Sequence, residues 1–392
     1  MSVVAESTKT VVGVPRERSG GEARVALVPS VIPQLVKSGI DVIVERGAGE
    51  AAGFFDGAYA RHGCRLGSRR EALEADIVVR VHGWGFDRDG NLEVSHPDQV
   101  VIALADPLGS PVAVRAAGEH KLIAIALDLV PRITRAQGMD ALSSQATLTG
   151  YAAVVLAAGR LPKMFPMLTT AAGTIPPAQV LVVGAGVAGL QAIATARRLG
   201  AVVQAYDVRP AAQDDIESLG ARCVALPLAP GDAEDKSGYA KELGDAFYRR
   251  QQELLAHVVT GVDVVVTTAL IPGVRAPVLI TADAVAGMQP GSIIVDCAAE
   301  RGGNCELTRA EQTIVTDNHV TILGPTNLPS TLPHDASLMY SKNITALLGL
   351  IVKNGTLALD EEDEIVRGAL VTRGGEIVNR RVREVLGEVR DD

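Results

Sequence analysis

The chain of 392 residues is long enough for two or three domains. Hydrophobic residues make up 47% of it and charged residues 21%, a globular composition that excludes wholesale disorder. Its 46 acidic residues outnumber its 37 basic ones, and the net charge of −9 argues against a nucleic acid or an anionic membrane as a direct partner.

The first third of the chain alternates short β-branched runs with helical patterns. This rhythm is typical of a parallel sheet that is covered by helices. We expect helices that include residues 29–38 and 111–120. The predicted strands are residues 10–14, 41–45, 76–81, 100–105 and 121–127.

The alternation stops after Leu127. Residues 131–138 have the composition of a polar loop, and a helical pattern then runs from about residue 139 to residue 160. A further loop contains Pro176 and Pro177. Two consecutive prolines fit neither a helix interior nor a central strand, so this loop marks the start of a second unit.

The second unit has the strand count of a complete doubly wound sheet. Its six predicted strands are residues 179–183, 201–206, 222–226, 263–269, 292–297 and 319–323. A helix at about residues 338–352 has no sheet of its own, so we assign it to the first domain. The charged stretch from Asp360 is expected to be peripheral, with a hairpin around Gly374 and Gly375.

The predicted fold class is therefore α/β, with two Rossmann-like domains whose parallel sheets flank a cofactor cleft. The N-terminal α/β domain is discontinuous and comprises residues 1–140 plus 328–392. The Rossmann domain comprises residues 141–327.

The sequence contains no run of about 18 apolar residues, and its longest candidate, residues 344–352, is typical of a core helix. Its first ten residues lack a basic region followed by an apolar one. We therefore expect a soluble intracellular protein. No metal site is predicted, because the four cysteines include no Cys-x-x-Cys pair; they are Cys64, Cys223, Cys297 and Cys305.

The strongest local motif is Gly-x-Gly-x-x-Gly at residues 184–189, between a predicted strand and a predicted helix. Gly184 permits the tight turn, Gly186 lets the backbone approach a pyrophosphate, and Gly189 lets the helix pack on the sheet. The helix N-terminus, at Val187 and Ala188, offers N–H groups and a partial positive charge to phosphates. The alternative is a glycine-rich turn that binds nothing.

An acidic residue, Asp207, ends the next predicted strand. Its carboxylate can accept both ribose hydroxyls of an adenosine, and its charge would repel a 2′-phosphate. Asp207, Val208 and Arg209 are therefore predicted to bind NAD(H) in preference to NADP(H). Arg209 complicates this prediction, because an arginine can accommodate a 2′-phosphate.

Two further segments end strands on the same sheet edge, where ligands bind in such folds. The first, residues 267–273, places Thr268, Ala269 and Leu270 among the predicted cofactor contacts. The second contains Asp296 and Glu300, for which an ordinary solvated strand end is an equally good interpretation. The connection at residues 227–238 is longer than a usual βα loop and is either a lid or a tolerated insertion.

Several segments resemble the alanine dehydrogenase / nicotinamide nucleotide transhydrogenase superfamily. They are residues 13–17, residues 22–29, the glycine fingerprint at Gly184, and residues 296–306. Residues 132–145 resemble the nicotinamide-side loop of the NAD(H)-binding component of proton-translocating transhydrogenase. That resemblance implies nicotinamide-binding roles for a polar quartet, which consists of Arg132, Gln137, Asp140 and Ser143. It also implies that Tyr239 belongs to a mobile loop that closes over the cofactor.

The other branch of the superfamily uses a lysine and a histidine around its amino-acid substrate. Here Arg80 stands near the place of the lysine, and Ala105 is the best match for the histidine, although His82 is close in sequence. Amino-acid oxidation needs a proton acceptor, whereas hydride transfer between two nucleotides does not. The missing pair therefore favours the transhydrogenase branch.

The resemblance implies an Si/Re-specific, proton-translocating NAD(P)⁺ transhydrogenase that is active only with partner subunits. This chain would bind NAD(H), a partner subunit would bind NADP(H), and a membrane subunit would hold the complex on the inner face of the cell membrane. The chain ends at Asp392 without a predicted transmembrane helix, which resembles the version that is a separate peripheral cytoplasmic subunit and a homodimer. Two alternatives remain, a soluble alanine dehydrogenase-like enzyme and a non-catalytic NAD-binding regulatory protein.

Overall fold

A computed structural model describes residues 9–86, 92, 96–226, 244–270 and 273–387 of the chain. The chain divides into two compact units. The first consists of Met1–Gln145 together with Ser330–Asp392, and the second is Ala146–Pro329. The sequence alone predicts these two boundaries at residues 140 and 328.

The N-terminal part of the first unit alternates strands with short helices. Its strands are β1 (Val11–Val14), β2 (Asp41–Glu45), β3 (Arg65–Gly67), β4 (Ile77–His82), β5 (Val100–Leu104) and β6 (Ile123–Ala126). Its α-helices are α1 (Ile32–Lys37), α2 (Asp56–Arg61), α3 (Arg69–Leu73) and α4 (Pro111–Glu119). A 3₁₀ helix, Thr134–Met139, then leads to the long helix α5 (Ala141–Arg160), which continues into the second unit.

The second unit begins with a small hairpin and continues with a regular alternation. Its strands are β7 (Leu168–Thr170), β8 (Gly173–Ile175), β9 (Gln179–Val183), β10 (Val202–Tyr206), β11 (Arg222–Cys223), β12 (Val264–Thr267), β13 (Ile293–Asp296), β14 (Thr313–Val315) and β15 (Thr321–Leu323). Its helices are α6 (Val187–Arg198), α7 (Ala212–Ser218), α8 (Asp245–Val259) and α9 (Ala282–Ala286).

The C-terminal part returns to the first unit. It contributes three helices, α10 (Pro333–Ile351), α11 (Glu364–Ala369) and α12 (Arg380–Val385), and four short strands, β16 (Val352–Lys353), β17 (Thr356–Leu357), β18 (Leu370–Arg373) and β19 (Glu376–Ile377). Helix α10 packs its buried residues Tyr340, Ile344 and Leu348 into the core of the first sheet.

Each unit is built on one sheet that is mostly parallel. The first sheet has the order β19-β18-β6-β5-β4-β1-β2-β3, in which β18 is antiparallel to both of its neighbours, β6 and β19. The second has the order β11-β10-β9-β12-β13-β15-β14, in which only β14 is antiparallel among the described strands. The order of its parallel strands is that of a doubly wound nucleotide-binding sheet. The predicted α/β fold class with two Rossmann-like domains is therefore confirmed.

The structure differs from the sequence prediction mainly at short elements. The predicted loop at residues 131–138 contains most of the 3₁₀ helix, and the proline loop before β9 begins as the β7–β8 hairpin. Strands β3 and β14 were not predicted. The C-terminal hairpin, which the sequence predicts to be peripheral, instead joins the first sheet, because β18 pairs with β6. The Thr372 hydroxyl also donates to the Leu122 carbonyl at 2.8 Å.

One helix of the described residues, α5, is long and apolar enough to cross a membrane by length and composition alone. The sequence pattern had predicted no such segment. The core helix of a globular protein meets the same criterion. Within the second unit α5 packs closely on α6, because an added Cβ at Gly150 would lie 2.0 Å from the carbonyl oxygen of Ala188.

This contact predicts opposite effects for two glycine substitutions in the same helix. Gly150→Ala should lower the free energy of unfolding by about 1–3 kcal/mol, since the methyl group overpacks the helix contact. Gly159→Ala should raise it by up to about 1 kcal/mol, because an added Cβ there meets nothing within 4 Å and alanine favours the helix. Urea denaturation of both variants checks the prediction, and a stabilised Gly150→Ala would contradict it.

Candidate functional site

The turn between β9 and α6 depends on glycine at its first position. Gly184 has a φ of +94°, which disfavours residues with a side chain. An added Cβ at Gly184 would also lie 2.8 Å from the Thr268 hydroxyl. The N–H of Gly184 donates to the carbonyl of Tyr206 at 2.8 Å, so the turn begins directly at the edge of the sheet.

The structure explains the other two glycines of the motif in different ways. An added Cβ at Gly189 would lie 1.8 Å from the Gly184 carbonyl oxygen, so packing excludes any larger residue. At Gly186 it would meet nothing within 4 Å. Packing inside the chain therefore gives no reason for glycine at position 186, whereas the approach of a ligand to the backbone does.

The N-terminus of α6 fits a phosphate group. Gly186 is its N-cap and has no side chain with which to satisfy the N–H groups of the first turn, at Val187 and Ala188. The helix has 12 residues and hence a positive end that favours an anion. The open backbone at this helix N-terminus therefore fits the pyrophosphate of a dinucleotide.

Asp207 lies beside this cradle and is mostly buried. Its carboxylate accepts hydrogen bonds from the Ala185 N–H at 2.7 Å and from the Arg209 N–H at 2.8 Å. The Arg209 guanidinium also pairs with it, with Nε at 2.9 Å. Val208, between them, is half-buried. Arg209 therefore pairs with Asp207 and fixes the carboxylate at the end of β10.

Thr268 connects the end of β12 to the glycine turn. Its N–H donates to the Val183 carbonyl at 2.7 Å, and its hydroxyl donates to the Gly184 carbonyl at 3.0 Å. Ala269 is half-buried, and Leu270 is 40% exposed. One edge of the second sheet thus brings together the glycine fingerprint at residues 184–189, Asp207 and residues 268–270.

An asparagine to which the sequence analysis gave no role braces this segment. Asn304 is fully buried, and its side-chain oxygen accepts from the Ala269 N–H at 3.1 Å. Its amide nitrogen donates to the carbonyls of Ala269 at 2.8 Å and Pro277 at 2.9 Å. The one signal in the sequence is the pair of glycines that precedes it, Gly302 and Gly303, which is typical of a tight turn. Both glycines have positive φ in the structure.

Asp296 does not line an open edge. It is fully buried, so the solvated strand end considered for it is wrong. Its oxygens accept from the Thr267 hydroxyl at 2.8 Å, the Thr308 hydroxyl at 2.7 Å and the Cys305 N–H at 2.9 Å. Asp296 therefore holds the Asn304 loop on the sheet, whereas Glu300 is exposed.

The polar quartet lies in the first unit, around the start of α5. Asp140 directly precedes the helix, and its carboxylate accepts from the Ser143 N–H at 2.8 Å and from the Ser143 hydroxyl at 2.6 Å. This is the geometry of a helix N-cap. Arg132 and Gln137 are both exposed. Two members of the quartet thus stabilise each other, and two face solvent.

The backbone of this segment is fixed from α10. Asn343 donates from its side-chain amide to the Gly138 carbonyl at 2.9 Å and accepts from the Ser144 hydroxyl at 2.7 Å. Arg135 forms a bidentate pair with Asp363, at 2.6 and 3.1 Å. Tyr239 and the connection at residues 227–238 lie outside the described residues.

The carboxyl ends of the first sheet carry buried ionisable groups. Glu17 accepts from the Val81 N–H at 2.7 Å and lies 3.8 Å from the Arg80 guanidinium, and burial raises the pKa of Glu17. Burial also raises the pKa of Asp128 to about 6, although its carboxylate accepts from the Ala105 N–H at 2.7 Å. Arg80, which stands near the place of the lysine in the amino-acid dehydrogenase branch, is thus already paired with Glu17.

Two family models match consecutive parts of the chain, and the second extends past the second unit into the C-terminal part of the first. The model of the alanine dehydrogenase/PNT N-terminal domain matches residues 13–149, and that of the C-terminal domain matches residues 153–380. The chain belongs to the alanine dehydrogenase/PNT family. Within the family it is similar to the first part of NAD(P) transhydrogenase subunit alpha of Rhodospirillum rubrum, at 45% identity over 94% of this chain and 97% of that protein.

A solved family structure agrees. The crystal structure of transhydrogenase from Sinorhizobium meliloti is 41% identical, covers 94% of this chain and 100% of its own, and superposes with a TM-score of 0.84. The alanine dehydrogenase of Halomonas elongata is also similar, at 28% identity over 96% of each chain. The chain is therefore similar over nearly its full length to NAD(P) transhydrogenase alpha subunits, in agreement with the resemblance in the sequence.

The brace at Asn304 predicts a selective loss of cofactor binding. Asn304→Ala should weaken NADH binding by about 10-fold or more, since Ala269 loses both hydrogen bonds that hold its peptide. Asn318→Ala is the matched control, because Asn318 also donates to buried carbonyls, among them Val285 at 3.0 Å, but away from the glycine turn. Fluorescence titration with NADH checks both variants. Equal affinities for NADH in the two variants would contradict a positioning role.

Asp128 predicts a pH-dependent stability. Its folded pKa of about 6 lies above its ordinary value of 3.8, so its contribution to stability falls as the pH rises from about 4 to 6. Asp128→Asn removes the buried charge and should stabilise the protein by on the order of 2 kcal/mol more at pH 8 than at pH 4. Thermal unfolding at both pH values checks this. Asp317→Asn, at an exposed position, should show no such difference.

Proposed function

We propose that this chain is the NAD(H)-binding component of a proton-translocating NAD(P)⁺ transhydrogenase of the Si/Re-specific type. It passes hydride from NADH to NADP⁺ that is held on a partner subunit. The observation that carries the proposal is the match, over nearly the full length of both chains, to the first part of a transhydrogenase alpha subunit. The open cradle at Gly186 supports the same conclusion from the geometry.

The second unit binds the adenosine and pyrophosphate half of NAD(H). The N–H groups at the start of α6 bind the pyrophosphate, and Gly186 gives it access to the backbone. Asp207 binds the adenosine ribose through its carboxylate, which Ala185 and Arg209 hold in place. Thr268, Ala269 and Leu270 contact the cofactor from the end of β12, and Asn304 keeps that segment rigid.

The first unit binds the nicotinamide half. When bound, NADH supplies a hydride from its dihydronicotinamide ring. Arg132 and Asp140 anchor the carboxamide or the ribose of that half, Gln137 lies at the junction with the second nucleotide, and Ser143 assists orientation. Tyr239 closes over the cofactor. These residues contribute proximity and orientation rather than covalent chemistry, since transfer needs the reacting carbons within about 3–3.5 Å.

The chemistry of the first unit agrees with a reaction that moves no proton between the nucleotides. An amino-acid dehydrogenase needs a group that accepts a proton from its substrate. Arg80 cannot act as such a base, because a guanidinium stays protonated and this one already faces Glu17. Position 105, where the sequence comparison placed the histidine of that branch, is an alanine.

We also infer the partners of this chain. The chain works as a homodimer, together with an NADP(H)-binding subunit and a membrane subunit that couples hydride transfer to proton translocation. The chain is cytoplasmic and peripheral, and those subunits hold it on the inner face of the cell membrane. This chain binds NAD(H), and the partner subunit binds NADP(H).

Reconstitution with the NADP(H)-binding component of a transhydrogenase tests the reaction. The mixture should transfer hydride between NADH and an NADP⁺ analogue. Gln137→Ala should lower this rate about 10-fold or more with little change in NADH affinity, because Gln137 is exposed and acts only where the two nucleotides meet. Arg135→Ala, three residues after Arg132, breaks only the surface pairs with Asp363 and Glu364 and should keep the wild-type rate.

Two results would contradict the proposal. Steady NADH production from alanine without any partner would identify an alanine dehydrogenase. Tight NADH binding without transfer, even with the partner present, would identify a regulatory protein. Wild-type turnover of Gln137→Ala would contradict the assignment of the quartet alone.

Cofactor preference gives a separate prediction. Wild-type protein should bind NADH at least about 10-fold more tightly than NADPH, since the Asp207 carboxylate repels a 2′-phosphate. Asp207→Ser should remove most of this difference and free Arg209 to meet the phosphate. Equilibrium titration with both nucleotides measures the ratio. Equal affinities in the wild type would contradict this prediction, because Arg209 would then offset the repulsion between Asp207 and the phosphate.

A further inference from the structure

A buried ion pair lies in the first unit, before helix α1. Arg24 donates to both oxygens of the Glu22 carboxylate, from Nε at 2.8 Å and from Nη2 at 2.7 Å. The Arg24 side chain is 5% exposed and the Glu22 side chain 1%. Removing two charges from water offsets much of their attraction, so such a pair is weak evidence of a stabilising role. Its further contacts indicate what the pair does.

The third nitrogen of the Arg24 guanidinium reaches helix α5. Nη1 donates to the side-chain oxygen of Gln145 at 2.8 Å, and Gln145 is itself buried. The Gln145 amide donates to the carbonyl of Ala336, in helix α10, at 3.2 Å. Arg24 therefore connects a segment near the start of the chain to the first turns of α5, across 121 residues of sequence.

The hydrogen bonds continue from Gln145 toward the polar quartet. The Gln145 amide also donates to the Ser144 hydroxyl at 3.3 Å. Ser144 donates in turn to Asn343, whose own amide holds the carbonyl of Gly138. Gly138 directly follows Gln137, a member of the quartet. A displacement of Gln145 would therefore displace the backbone that carries the quartet.

Helix α10 fixes the backbone that follows Arg24. The Val25 N–H donates to the Ser337 hydroxyl at 2.9 Å, and the Val28 N–H donates to the Ser341 hydroxyl at 3.0 Å. Both serines are fully buried and lie one turn apart on α10. With its backbone fixed and two of its nitrogens held by a carboxylate, the planar guanidinium presents Nη1 to α5 in one orientation.

We propose that Arg24 is a positioning residue for hydride transfer, which acts through Gln145 on the start of helix α5. This inference rests on the proposed function, in which the quartet orients the nicotinamide half of NADH. Transfer needs the reacting carbons within about 3–3.5 Å, so a small displacement of the quartet slows it. The contacts to the adenosine half belong to the second unit and stay intact, so the affinity for NADH changes little.

Two substitutions break the same link from its two ends. Arg24→Lys keeps the positive charge beside Glu22 but loses the planar fork that contacts Glu22 and Gln145 together. Gln145→Leu keeps the ion pair and removes the oxygen that Arg24 contacts. In single-turnover reactions with the NADP(H)-binding component of a transhydrogenase, each should lower the transfer rate about 10-fold and change the NADH affinity less than about 3-fold.

The double variant separates positioning from a general loss of structure. Because both residues act through one hydrogen bond, Arg24→Lys combined with Gln145→Leu should be no more than about 3-fold slower than either single variant. Arg69→Lys is the matched control, since Arg69 of helix α3 also forms a mostly buried pair, with Glu45 at 2.9 Å. It should keep the wild-type rate.

Four results would overturn the inference. They are a wild-type rate in either single variant, effects that multiply in the double variant, an NADH affinity that falls in step with the rate, and an equal loss of rate in Arg69→Lys. Gln145→Leu still tests the inference if Arg24→Lys does not fold, because it leaves the charged pair intact. A wild type that transfers no hydride would contradict the proposed function and, with it, this inference.

Discussion

The close approach of the glycine turn to the end of strand β12 is the constraint on which the rest of the site depends. Gly184 has neither the φ nor the space for a side chain, and Thr268 holds it with a hydrogen bond to its carbonyl. The same carbonyl oxygen leaves no room for a Cβ at Gly189. Helix α6 is thereby held with its N-terminus at the sheet edge, and Gly186 stays open toward a ligand.

Hydrogen bonds between buried polar groups hold the segments next to this turn. Asp296 holds the loop that contains Asn304, and Asn304 in turn holds both polar groups of the Ala269 peptide. Such a network is strong when every member is satisfied and costly when one partner is removed. In the first unit Asn343 has a comparable task, since it fixes the segment that carries the quartet. Residues without any expected contact to substrate thus determine where the candidate contacts lie.

Sequence reasoning succeeded where the structure follows from local chemistry. The turn at Gly184, the acid after β10 and the long strands all depend on residues close together in the chain, and the fold class followed from their order. It failed at the hairpin of β7 and β8, whose threonines and prolines have a loop composition, and at short edge strands such as β14. It gave no role to Asn304, because that side chain meets Ala269 across 35 residues of sequence.

The central claim is that this chain holds NADH so that its hydride passes directly to a second nucleotide. NADH that carries deuterium at the transferred position of C4 tests this most directly, in a mixture of the chain, the NADP(H)-binding component and NADP⁺. The account predicts that all of the transferred deuterium appears on C4 of NADPH and none in water. Deuterium in the solvent, or NADPH that carries hydrogen from water, would contradict it.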